Sequence, residues 1–134
     1  MQKAQKGFTL IELVVVIVLL GILGVTAIGK YQDLATQAQD AANQGVASEM
    51  SAASAINYAA STLGVGTATA VTGTPTCSNA ALGYLFASGT TPSEFTVAGT
   101  PAACAGAGTT SSCTVAGSGT PAGATATVTL LCTG

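Results

Sequence analysis

Apolar residues fill the chain almost without a break from Phe8 to Ile28. A run on the order of 20 such residues has the length of a helix that crosses the hydrocarbon core of a bilayer. The pattern then changes period. Leu34, Ala38, Ala41, Ala42, Val46, Met50, Ala53, Ile56, Ala60 and Leu63 recur at threes and fours, with Gln32, Asp33, Thr36, Gln39, Asp40, Asn43 and Glu49 between them. This predicts an amphipathic helix continuous with the apolar one, ending where glycine and threonine take over around residues 61–64. From Phe8 to about Thr62 such a helix measures roughly 80 Å, so its second half outruns a bilayer and packs on something beyond it.

One residue breaks the apolar run. Glu12 is a carboxylate near its front, and an ionisable group in a membrane span is expected to be functional and paired. Lys3 and Lys6 precede Gly7 with no acid among them, so the positive-inside rule leaves residues 1–7 in the cytoplasm and sends the rest outward. A secretory signal would close on a small-x-small cleavage site and free a soluble domain; this core is longer and runs straight into the polar helical pattern. Gly21, Gly24 and Gly29 interrupt it, each lowering helix stability by up to about 1 kcal/mol relative to alanine. They mark a window in which the helix can bend, or in which neighbouring helices can approach closely.

Beyond Gly64 the chain turns to alanine, glycine, threonine and serine with almost no charge. Cys77, Cys104, Cys113 and Cys132 argue against a disordered stalk, because an even set of cysteines outside the cytoplasm forms lasting disulfides. Residues 124–130 alternate apolar and hydroxyl side chains, the period of a half-buried strand; a turn-forming run, 117–123, precedes them, and Cys113-Thr114-Val115 comes before that. A hairpin centred near Ala122 and Gly123 sets Val115 opposite Leu130 and Cys113 opposite Cys132, within reach of a bridge. The expected pairing is therefore Cys113–Cys132 with Cys77–Cys104 by elimination, while the nested pairing Cys77–Cys132 with Cys104–Cys113 stays open. Strands are expected at 83–87, 94–98, 113–115 and 124–131, laid as a small antiparallel sheet on the amphipathic half of the helix, with Tyr58, Tyr84, Phe86 and Phe95 as the large core residues. The fold class is α+β, divided into residues 1–7, 8–30, 31–63 and a β-rich, disulfide-bonded domain at 64–134. So few large apolar side chains bury little core, and the two bridges, worth about 2–4 kcal/mol each, must supply much of the stability.

Charge narrows the function. Three lysines and arginines, five acids and no histidine give a formal net charge of −2. A nucleic-acid surface needs a basic footprint, and loss of residues 1–7 would leave Lys30 as the only basic side chain. Glu12, Asp33, Asp40, Glu49 and Glu94 are scattered, so they assemble neither a catalytic carboxylate pair nor a metal-ligand cluster. The expectation is a non-enzymatic protein with no cofactor and no metal. Asn-x-Ser/Thr is absent from the sequence.

Gly7-Phe8-Thr9-Leu10-Ile11-Glu12, behind a short basic leader and ahead of an apolar helix, resembles the type IV prepilin signature. The resemblance implies that a membrane-embedded prepilin peptidase cuts after Gly7 and methylates the new N-terminal Phe8. The apolar helix then serves as an inner-membrane anchor and, with the help of the pilus assembly machinery, as the core of a helical homo-oligomeric filament on the cell surface. By the same resemblance, the α-ammonium of Phe8 on an incoming subunit neutralises Glu12 of its neighbour and so sets the register of assembly. Type IVa pilins carry glycine at the place of Gly21 and proline at that of Gly29; this chain has glycine at both. Residues 13–18, 20–23, 25–27 and Lys30 are similar to mannose-sensitive haemagglutinin-type pilins, and type IV pilins close a C-terminal loop by a disulfide, as the Cys113–Cys132 pairing would. The motif is shared with minor pilins and with type II secretion pseudopilins; the major pseudopilins bind calcium in a C-terminal loop, for which Glu94, the sole acid after residue 49, supplies too few ligands. A major structural pilin, used for adhesion, motility or uptake, is the preferred expectation, ahead of a minor pilin, a pseudopilin or a tethered domain that never polymerises.

Overall fold

The computed structural model describes residues 7–134; Lys3, Lys6 and the rest of the expected leader before Gly7 lie outside the described residues. The chain divides into two compact units, one ending at Ala35 and the other comprising Thr36–Gly134, and helix α1 (Leu10–Leu63) belongs to both. The C-terminus of α1 is closed as the glycine pattern requires. Gly64 takes a φ of +63°, its N–H donates to Ser61 O at 3.4 Å and Val65 N–H to Ala60 O at 3.1 Å. This pair of back-bonds satisfies two of the orphan carbonyls at the helix end, and only a residue without Cβ adopts the left-handed conformation there cheaply.

In the second unit α2 (Asn79–Leu82) leads into a 3₁₀ turn (Gly83–Leu85), and strands β1 (Phe95–Ala98), β2 (Thr110–Gly117) and β3 (Ala126–Leu131) form an antiparallel sheet in the order β1-β2-β3. Ala47 and Met50 of α1, Leu82, Leu85 and Phe86 of the short helices, and Val97, Cys113, Val115, Val128 and Leu130 of the sheet make one core. The fold is α+β, with a long N-terminal helix and a small sheet carrying two disulfides.

Four expectations are corrected. In place of the strand expected at 83–87 stands the 3₁₀ turn Gly83–Leu85, followed by a bend and a turn. Ser78 caps α2, its Oγ accepting from Ala81 N–H at 3.2 Å, and the buried Leu82, Leu85 and Phe86 recur at three and four rather than at two. A Cβ on Gly83 would stand 2.6 Å from Gly89 O, so this tight return of the backbone admits only glycine. The buried face of α1 is also turned from the expected apolar stripe: Asn43, Ala47, Met50 and Ser54 are buried, whereas Ile56 and Leu63 are 71% and 73% exposed. Polar side chains took that face because they satisfy the backbone of the hairpin. Ser51 Oγ accepts from Thr129 N–H at 3.0 Å and Ser54 Oγ from Leu131 N–H at 2.8 Å. Of the four aromatics expected in the core Phe86 is buried in it, Tyr84 and Phe95 are half-buried and packed against it, and Tyr58 is half-buried.

The fourth correction concerns the bridges, which join Cys77 to Cys113 and Cys104 to Cys132. This is neither the expected pairing nor the nested one. Cys113 lies opposite Val128, four residues short of Cys132, because the hairpin is centred at Thr120 and Pro121 rather than at the expected Ala122 and Gly123. Cys132 instead continues past β3, donating its N–H to Thr109 O at 2.8 Å and accepting from Gly108 N–H at 2.9 Å, and meets Cys104 there. An even shift keeps the face: Cys113, Val115, Val128, Leu130 and Cys132 are all buried, as the alternation predicts.

Candidate functional site

The chemistry the sequence singles out gathers at the front of α1. Thr9 precedes the first helical residue, and Glu12 folds back onto it. Glu12 Oε2 accepts from Thr9 N–H at 2.8 Å and from Thr9 Oγ1 at 2.7 Å, while Thr9 Oγ1 accepts from Glu12 N–H at 3.4 Å. This is a reciprocal capping box, in which two orphan helix donors are satisfied by side chains three residues apart. The Thr-x-x-Glu spacing in the sequence encodes this box.

Phe8, Ile11, Glu12, Val15 and Val16 line a shallow concavity of about 380 Å³ on one side of this helix start. Glu12 is thus the one ionisable group in an apolar wall. Phe8 is 92% exposed, and every large apolar residue from Leu10 to Ile28 presents much of its surface outward. The helix is long and apolar enough to cross a membrane, and none of its most apolar window is buried within the chain. A soluble core helix would not look like this; the run is built to be covered by something else.

Gly21, Gly24 and Gly29 lie within this span, and α1 continues through all three as regular helix. A Cβ at any of them would meet nothing within 4 Å, so no packing among the described residues requires glycine there. Gly7 and Phe8, expected to be processed, and Phe8 and Glu12, expected to act in assembly, all lie at this end, and the four cysteines belong to the second unit.

Residues 2–28 match the family model described as the prokaryotic N-terminal methylation motif. The chain is 57% identical over 37 residues to a fimbrial protein of Pseudomonas aeruginosa, a match covering 28% of this chain and 24% of that one. A fimbrial protein of Moraxella nonliquefaciens is 58% identical over 37 residues, with the same coverage of 28% and 24%. The type IV major pilin protein PilE1 of Neisseria gonorrhoeae is 54% identical over 39 residues, covering 29% of this chain and 24% of that one. The front of this chain carries the N-terminal methylation motif and is similar to the N-terminal segments of fimbrial proteins and type IV major pilins.

The chain spans about a quarter of the length of the curated relatives it matches. No solved structure matches the chain. The family-model match takes in the capping box, Gly21 and Gly24, and the sheet and its interleaved bridges lie outside it.

Proposed function

We propose that the chain is a structural subunit, by preference the major one, of a type IV pilus. Residues 1–7 are a leader removed by prepilin peptidase after Gly7, Phe8 becomes the methylated N-terminus, and residues 8–30 hold the subunit in the inner membrane until the assembly machinery adds it to a surface filament. One observation carries the reading: an apolar helix exposed along its length ends in a carboxylate set in an apolar wall. An exposed run of this kind is stable only in lipid or against other copies, and a helical stack of copies covers it without lipid.

Glu12 has two partners to choose between. In the single chain its carboxylate binds the Thr9 amide and hydroxyl. In the filament the α-ammonium of an incoming Phe8 adds the opposite charge that neutral donors cannot provide, and a paired charge in a low-dielectric core is far better tolerated than a lone one. The role proposed is structural rather than catalytic.

The test is the intact mass and N-terminal fragmentation of protein sheared from the cell surface without reduction. A chain beginning at methylated Phe8, together with loss of filaments in Glu12→Gln, is expected. An uncut chain confined to membranes would overturn the reading and leave a tethered domain.

A further inference from the structure

A three-stranded sheet has two open edges, each a row of backbone groups on which another chain can add by strand pairing. In the second unit both edges are occupied by side chains. The β3 edge lies under α1, whose Ser51 and Ser54 accept from Thr129 and Leu131 N–H. The β1 edge has no such cover. Among the described residues, side-chain bonds to this edge come from Asn79, at the start of the four-residue α2.

Asn79 meets β1 as a partner strand would. Its Oδ1 accepts from Val97 N–H at 2.6 Å and its Nδ2 donates to Phe95 O at 2.8 Å, so one carboxamide engages an outward donor and an outward acceptor two residues apart. Phe95 N–H is itself taken by Pro92 O at 3.1 Å. The backbone of Asn79 is held in place by Thr91 Oγ1, which donates to its carbonyl at 2.8 Å, and Cys77, two residues before it, is bridged to Cys113 in the middle of β2. The usual guard for an exposed edge is a lysine, and Thr36–Gly134 contains neither lysine nor arginine. Thr96, on the exposed face of β1, is uncharged.

We propose that Asn79 is the lock on this edge: its carboxamide occupies β1 in place of a partner strand and prevents an extended segment of a second copy of the chain from adding there by backbone pairing. The lock acts on the single chain and does not depend on whether the chain forms a pilus. It does restrict self-association to surfaces other than the sheet.

The full chain in detergent micelles, which cover the apolar part of α1 equally in every variant, tests this. Light scattering reports the mass of the protein, and the low-frequency amide I band reports intermolecular sheet. Asn79→Ala is expected to raise the share of dimers and larger species several-fold and to bring in that band. Asn79→Ser, which retains a good residue for a helix start but is too short to reach both β1 groups, is expected to do the same. Adding Thr96→Lys to either variant restores no bond of Asn79 but places a charge on the exposed strand, and is expected to return the mass to that of the unaltered chain. Two results overturn the proposal: Asn79 variants no more associated than the parent, or association that Thr96→Lys leaves unchanged, which marks simple unfolding.

Discussion

Asn43 is the most deeply committed polar side chain in the second unit. It is fully buried, its Nδ2 donates to Ala124 O at 2.7 Å and its Oδ1 accepts from Gly117 N–H at 2.8 Å, so it ties the two ends of the β2–β3 loop to α1. Asn43→Ala strands both groups, and each buried unpaired partner costs on the order of 1–3 kcal/mol, so guanidinium unfolding of the variant in detergent is expected to show a loss of about 2–3 kcal/mol. Tyr84 is the opposite case. Its hydroxyl is buried without a hydrogen-bond partner, and burial pushes its pKa above the ordinary tyrosine value. Because the folded pKa is the higher one, this contribution to stability is intact below about pH 10, the ordinary tyrosine value, and is lost as pH rises through the folded pKa. Tyr84→Phe is therefore expected to raise the melting temperature at neutral pH, by an amount corresponding to about 1 kcal/mol, and to remove part of the alkaline loss seen in the parent. The burial of Tyr84 is legible in the sequence, whereas the role of Asn43 is not. A polar residue in a helical pattern reads as solvent-facing, and nothing local marks one that will bond a strand eighty residues away.

At the scale of elements the helix was legible almost to its last residue, because periodicity and a terminal glycine are local signals. Gly64 and Gly45 separate two meanings of glycine that sequence alone confounds. A Cβ at either would meet nothing within 4 Å, yet Gly64 sits at φ +63° while Gly45 lies in the helix interior. Gly45→Ala is expected to stabilise the folded chain by up to about 1 kcal/mol and Gly64→Ala to destabilise it by about 1–2 kcal/mol, opposite signs that thermal melts of the two variants resolve. The hairpin was legible in its alternation and its face but not in its register. Flexible residues from Gly117 to Ala124 allow several turning points, and what selects one is the grip of Asp40 and Asn43 on Ala124. The same long-range choice decided the cysteine partners, since moving the register by four residues carries Cys132 past Cys113. At the front of α1, Glu12 is legible as an anomaly because charge in an apolar run is conspicuous, and its bond to Thr9 is legible in the three-residue spacing of a capping box.

At the scale of the whole molecule, charge distribution makes one further expectation. Lys30 is the last basic residue in the sequence, so trypsin has no site beyond it. Digestion of the solubilised chain is expected to yield residues 31–134 as a single piece, four hydrogens lighter than its reduced form, and a second protease should release peptides linked as Cys77–Cys113 and Cys104–Cys132; links of any other pairing would contradict the register of β2 and β3. The two bridges cross in sequence, each closing a loop within which one end of the other lies. For a molecule under tension this has a mechanical meaning. Pulled from Leu63 toward Gly134, a reduced chain can pay out every residue, whereas the bridged chain carries load from Cys77 across to Cys113, backwards along the nine residues to Cys104, and across to Cys132. At about 3.5 Å per extended residue the oxidised domain can lengthen to only about a third of the reduced length, and a single cut anywhere between Cys77 and Cys132 leaves it in one piece.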